Sequence, residues 1–196
     1  MKTLNTYINE KLVLNKDTFK RVYNYFPKDK IELCQLLRKL IDERKNNNII
    51  DLNDIDTSNI TDMSSLFELE EIKKIDISGW NVSNAEDMSY MFYKCENLKS
   101  VGDLTGWDVS NVTNMSDMFM GCKKIKIVEG IEKWNMSNVI NIKSMFAECE
   151  NFIQDLNSWK INEDIKCGFC FYKTKLQKNE NLPDWFKNLI AKIKGK

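Results

Sequence analysis

Histidine is absent from the 196 residues. The commonest general base and the commonest metal ligand go with it. Serine–histidine and cysteine–histidine catalytic pairs are excluded, and zinc could be held only by cysteines and carboxylates. Glycine is scarce, at seven, and no glycine-rich phosphate loop can be read in the sequence. No apolar stretch approaches the roughly 20 residues of a membrane span. The N-terminus, Met1-Lys2-Thr3-Leu4-Asn5-Thr6-Tyr7, lacks the unbroken apolar run of a secretory signal. Neither sign of charge is in excess, with 29 Lys plus Arg against 29 Asp plus Glu. That balance gives no footprint for nucleic acid and no polybasic membrane anchor. The expected location is cytoplasmic, where thiols stay reduced.

What is present is a repeat. Trp80, Trp107, Trp134 and Trp159 recur at nearly even intervals. The first three open similar blocks: Trp80-Asn81-Val82-Ser83-Asn84, Trp107-Asp108-Val109-Ser110-Asn111 and Trp134-Asn135-Met136-Ser137-Asn138. Met88, Met115 and Ile142 follow at one fixed offset, then Met91-Phe92, Met118-Phe119 and Met145-Phe146, then Cys95, Cys122 and Cys149. An earlier copy starts at Ile55 and carries Met63 and Leu66-Phe67; a worn last copy starts at Trp159 and carries Cys167, Cys170 and Phe171.

The interval from one tryptophan to the next is the size of one leucine-rich repeat, a unit that cannot bury its apolar side alone. Alternation around Trp107 predicts a short strand, with Trp107 and Val109 on one side and Asp108 and Ser110 on the other. The three- and four-residue steps of Met115, Met118, Phe119 and Cys122 predict a short helical turn. The expected fold is therefore an α/β repeat solenoid: a leucine-rich-repeat-like right-handed coil of short parallel strands and short helices, capped by helices at both ends. Residues 1–46 form the N-terminal cap, 47–176 about five repeats, and 177–196 the C-terminal cap.

The block from Trp107 to Met115, followed by Met118-Phe119 and Cys122, resembles the BspA-like leucine-rich-repeat surface proteins. The resemblance covers about residues 52–176. It implies a curved parallel solenoid with binding roles; it does not imply an activity. The chain departs from surface-exposed members in having no export signal.

The caps are read from apolar stripes at helical spacing. Leu33, Leu36, Leu37, Leu40 and Ile41 form one, behind Pro27; Leu4, Tyr7, Ile8 and Leu12 form a shorter one. Trp185, Phe186, Leu189, Ile190 and Ile193 form the last, behind Pro183. Residues 1–12 are also similar to short amphipathic leaders on proteins packaged in phage capsids. This opens the alternative of a phage-encoded packaged or host-directed factor, located in a virion or host cell.

Cys167-Gly168-Phe169-Cys170 has the spacing of metal and redox pairs. A second pair is missing, and both cysteines hold the repeat's methionine places, so they read as small core residues. A thiol–disulfide enzyme using Cys167 and Cys170 is the lesser alternative. Cys95, Cys122 and Cys149 fall in register and also read as core. The Asn-x-Ser/Thr triplets at Asn59, Asn81, Asn111, Asn114 and Asn135 read as turn formers.

The expected function is that of a non-enzymatic protein-binding module, an intracellular interaction scaffold, with no cofactor and no metal. Its candidate partner-binding face is the exposed strand face: Asp56, Asn81, Asp108 and Asn135 in one row, Ser58, Ser83, Ser110 and Ser137 in the next. The partner is another protein, or a glycan, and the chain is a monomer unless it assembles through its caps.

Overall fold

The computed structural model describes residues 22–194. The leader reading of residues 1–12, and the stripe from Leu4 to Leu12, lie outside the described residues. In chain order the regular elements are helix α1 (Lys30–Arg44), strands β1 (Ile50–Asp51) and β2 (Ile75–Asp76), 3-10 turns at Leu104–Gly106 and Ile131–Lys133, and helices α2 (Lys175–Lys178) and α3 (Asp184–Lys194).

The α/β repeat solenoid expected from the sequence, a leucine-rich coil of strands and helices, is not what the chain forms. The described residues hold one pair of strands, two residues each, in parallel register Ile50 to Ile75. None of the predicted strand residues Asp56, Asn81, Asp108 or Asn135 lies in a strand, and no copy has a helical return. The reason lies in the backbone. Within residues 63–173 each copy places two residues, four apart, in the left-handed region: Ser65 and Leu69, Tyr90 and Lys94, Asp117 and Gly121, Ser144 and Glu148, Phe169 and Lys173. A right-handed helix cannot pass through such residues, and neither can an extended strand. The methionine–phenylalanine–cysteine series is built of successive tight turns, which bury the same positions that one side of a helix would.

Those turns divide their amides between two jobs. Alternate residues bond within the copy, as Tyr93 N–H does to Tyr90 O (2.9 Å) and Cys95 N–H to Phe92 O (3.1 Å). The residues between bond to the next copy: Met88, Tyr90, Phe92 and Lys94 donate to the carbonyls of Asn114, Ser116, Met118 and Met120 at 2.7–3.0 Å. The neighbouring copies repeat this, with Met115, Asp117, Phe119 and Gly121 donating to Asn141, Lys143, Met145 and Ala147. Parallel bridges join Asp62 to Asp87, Asp87 to Asn114, Asn114 to Asn141 and Asn141 to Lys166.

Equivalent side chains then pile face to face. The rings of Phe67, Phe92, Phe119, Phe146 and Phe171 stack with centroids 5.1–5.9 Å apart and planes within 10°. Buried polar groups are served by the neighbouring copy. The indole N–H of Trp107 donates to Ile77 O (3.2 Å) and that of Trp134 to Leu104 O (3.3 Å). The thiols of Cys95, Cys122 and Cys149 donate to the carbonyls of Phe67, Phe92 and Phe119 at 2.8–3.1 Å. A small side chain with one weak donor suits that place, which accounts for its cysteines. Neighbouring copies also approach closely at Gly130 (φ 91°), where a Cβ would stand 2.1 Å from the Thr105 nitrogen.

Helix α1 begins at Asp29, whose carboxylate accepts the Glu32 N–H, while Glu32 returns an acceptor to the Lys28 N–H. This reciprocal cap fixes the first turn. Leu33, Leu37 and Leu40 face the core. Arg44 bonds both oxygens of Asp54 (2.9 and 3.0 Å), and Lys30 bonds Asp62 (2.9 Å), tying the helix to the first copy. At the other end, Trp185 follows Trp159 at the tryptophan interval and stacks on it at 6.1 Å. Its indole donates to Leu156 O at 2.9 Å, so α3 enters the same tryptophan register.

Candidate interaction face

Both predicted rows come to the surface, and their polar atoms are largely occupied in turns. The side-chain oxygen of the first-row residue accepts the amide of the serine two residues on: Asp56 from Ser58 (3.0 Å), Asn81 from Ser83 (3.1 Å), Asp108 from Ser110 (3.0 Å) and Asn135 from Ser137 (3.3 Å). The hydroxyls of Ser83 and Ser137 donate to the same oxygens at 2.8 Å. These are Asx turns, and they explain Asp, Asn and Ser at these places without any ligand. The hydroxyl and amide of Ser110 hold the Asp108 carboxyl below the usual carboxylate range.

The open surface lies a few residues further along each copy. A groove of about 540 Å³ is lined by Asn59, Thr61, Asn84, Glu86, Asn111 and Thr113, all exposed. Two of its asparagines, Asn84 and Asn111, are fixed by the preceding copy. Asn84 Nδ2 donates to Ser58 O (2.7 Å), Asn111 Nδ2 to Ser83 O (2.7 Å), and Asn138 Nδ2, in the next copy, to Ser110 O (2.6 Å). Each amide thus has a donor spent on the protein, and its oxygen accepts no hydrogen bond among the described residues. Deeper, Asn141 donates to Asn114 and Asn114 to Asp87, both at 3.0 Å. The floor is formed by backbone bonds from Glu86 to Thr61, Thr113 to Glu86 and Ile140 to Thr113 at 2.8–2.9 Å.

Sequence reasoning placed the face on the Asp/Asn and Ser rows and passed over Thr61, Asn84, Glu86 and Thr113. The signal available was the recurrence of Asn59, Asn84, Asn111 and Asn138 at one repeat place, each followed two residues later by a residue free to vary. It also passed over aromatics interleaved with the core: exposed Tyr90 against half-buried Tyr93, and exposed Phe169 against exposed Tyr172, each pair edge to face, with Lys94 and Lys173 over the second ring.

The thiols offer little chemistry. Cys167 and Cys170 are free and 6% and 0% exposed. Burial raises both thiols, Cys170 well above its ordinary value. A nucleophilic or redox cysteine needs the opposite shift. Among the described residues, no group of three or more Cys, Asp or Glu stands together as metal ligands would. No described helix is long and apolar enough to cross a membrane.

Two overlapping stretches, residues 35–127 and 97–194, match the family described as Mycoplasma protein of unknown function, DUF285. The chain belongs to this family. DUF285 membership takes in helix α1 from Gln35 on, every tryptophan-marked copy and helix α3. No curated protein and no solved structure matches the chain.

Proposed function

We propose that this DUF285 protein is a non-enzymatic protein-binding module, and that its partner docks across the turn-built polar face. The groove along Asn59, Asn84 and Asn111 carries the reading. Its side chains are short, and Asn84 and Asn111 are already held by bonds to the preceding copy, so ordering them against a partner costs little entropy. The likeness of the Trp107–Met115 block to BspA-like surface proteins supports a binding role. The buried thiols support the absence of redox catalysis.

The test is capture from the native cell by the full chain and by two variants. Asn111→Arg with Thr113→Arg blocks the groove; Lys124→Glu changes an exposed residue elsewhere. A specific protein kept by wild type and Lys124→Glu and lost with the double variant is the expected result. Capture of nothing above background, or equal capture by all three, overturns the reading.

A further inference from the structure

The polar face differs from the rest of the surface in the sign of its charge. Residues 56–62, 81–87, 108–114 and 135–141 form this face in four successive copies. They contain Asp56, Asp62, Glu86, Asp87 and Asp108 and not one lysine or arginine, in a chain whose charges balance overall. Among the described residues, Asp62 alone of these five pairs with a cation, Lys30 reaching over from helix α1. Lysines gather around residues 73–74, 99 and 123–126, on other segments of these copies, and enter this segment in the last copy, at Lys160 and Lys166.

The hydrogen-bonding character matches the charge. Asn84, Asn111 and Asn138 each spend one amide donor on the preceding copy, and their side-chain oxygens accept no hydrogen bond among the described residues. Glu86 lies in the groove and makes no ion pair among the described residues. The groove therefore accepts along its length, with successive acceptors roughly 5 Å apart at the spacing of the copies. An extended chain advances about 3.3 Å per residue, so four or five residues cross the three copies that line it.

We propose that the groove binds an extended lysine- or arginine-rich segment of the partner protein. Ammonium and guanidinium groups are donor-only and cationic, and they complete both what the amide oxygens lack and what Glu86 lacks. This rests on the protein-binding reading above and adds the chemical class of the partner.

The probe is a fluorescein-labelled six-residue peptide alternating Lys and Ser, followed by anisotropy, with a Glu–Ser peptide of equal length as its counterpart. The full chain is titrated beside Glu86→Lys and beside Glu150→Lys, a charge-matched change at an exposed place outside the groove. The expected result is binding of the Lys peptide only. Glu86→Lys weakens it about fivefold to tenfold, Glu150→Lys leaves it unchanged, and raising the salt weakens it further. Melting temperatures of both variants check that the fold survives. Equal binding to Glu86→Lys overturns the proposal. So does a dimer in sedimentation that Glu86→Lys dissolves, since the occupant is then a second copy. If neither peptide binds but the capture experiment still depends on Asn111 and Thr113, the basic partner falls and the protein-binding reading stands.

Discussion

Replacing Phe119 by alanine removes the middle ring of a column. Phe119 is fully buried, with Phe92 stacked at 5.1 Å on one side and Phe146 at 5.7 Å on the other. Its amide donates to Met145 O in the next copy and its carbonyl accepts the Cys122 N–H of its own turn, which holds the backbone against closing over the space. Deleting a buried phenylalanine where collapse is prevented costs about 4 kcal/mol, partly in lost burial and partly in the cavity. The two stacking contacts place this site toward the upper part of the range. For a chain of this length each kcal/mol lowers the melting temperature by about 2–4 °C, so a fall of about 8–16 °C is expected. Phe169→Ala is the internal control. Phe169 is 67% exposed and meets only the edge of Tyr172, and its loss stays within about 0.5 kcal/mol. Urea unfolding of the two variants measures both values. A loss for Phe119→Ala well short of that expected for a buried phenylalanine, or equal losses at the two sites, refutes the column.

Other substitutions probe separate parts of the account. Gly130→Ala sets a Cβ against the Thr105 backbone at a left-handed residue and destabilises by about 2 kcal/mol or more, whereas Gly106→Ala, with nothing within 4 Å, changes stability little; thermal unfolding distinguishes them. The Arg44 guanidinium holds the Asp54 carboxyl below its ordinary value, with burial opposing. A depressed folded value means the contribution is present above about pH 4 and is lost as pH falls through the folded value. Arg44→Met should flatten that acid limb in denaturation curves taken from about pH 5 downward, and an unchanged limb would remove the pair from the account. Burial pushes the Cys95 thiol up to about 12 and the Cys122, Cys149 and Cys170 thiols up as well. Iodoacetamide at mild alkaline pH should leave these four unlabelled in the native protein and label them in urea. Rapid native labelling would reopen the thiol chemistry.

The sequence makes the repeat period easy to read, because tryptophan, phenylalanine and cysteine are rare enough for their recurrence to stand out. Bridges between residues 62 and 87, 87 and 114, and 114 and 141 follow that spacing. The local conformation was hidden. Buried residues three and four apart arise from a helix and from consecutive turns alike. The residues that decide between them, Tyr90, Lys94, Asp117 and Glu148, adopt left-handed backbone without being glycine. Their strain is offset by bonds to the next copy, such as Tyr90 N–H to Ser116 O at 3.0 Å. That is a contact between residues far apart in sequence, and no local pattern encodes it. The candidate face was legible as polar and repeated. Asp and Asn serve a turn and a ligand equally well by composition, so composition alone does not separate the two roles. Asp108 is committed to Ser110, and only the geometry reveals this; Glu86 carries no such commitment.

The face exists only while neighbouring copies stay bonded in register, and native-state hydrogen exchange measures that bonding directly. In a segment with no helix or strand, the amides of Met88, Tyr90, Phe92 and Lys94 should exchange only through global unfolding, at the free energy that urea reports. Exchange of these four at the rate of open turns, while the core residues stay buried, would contradict the account.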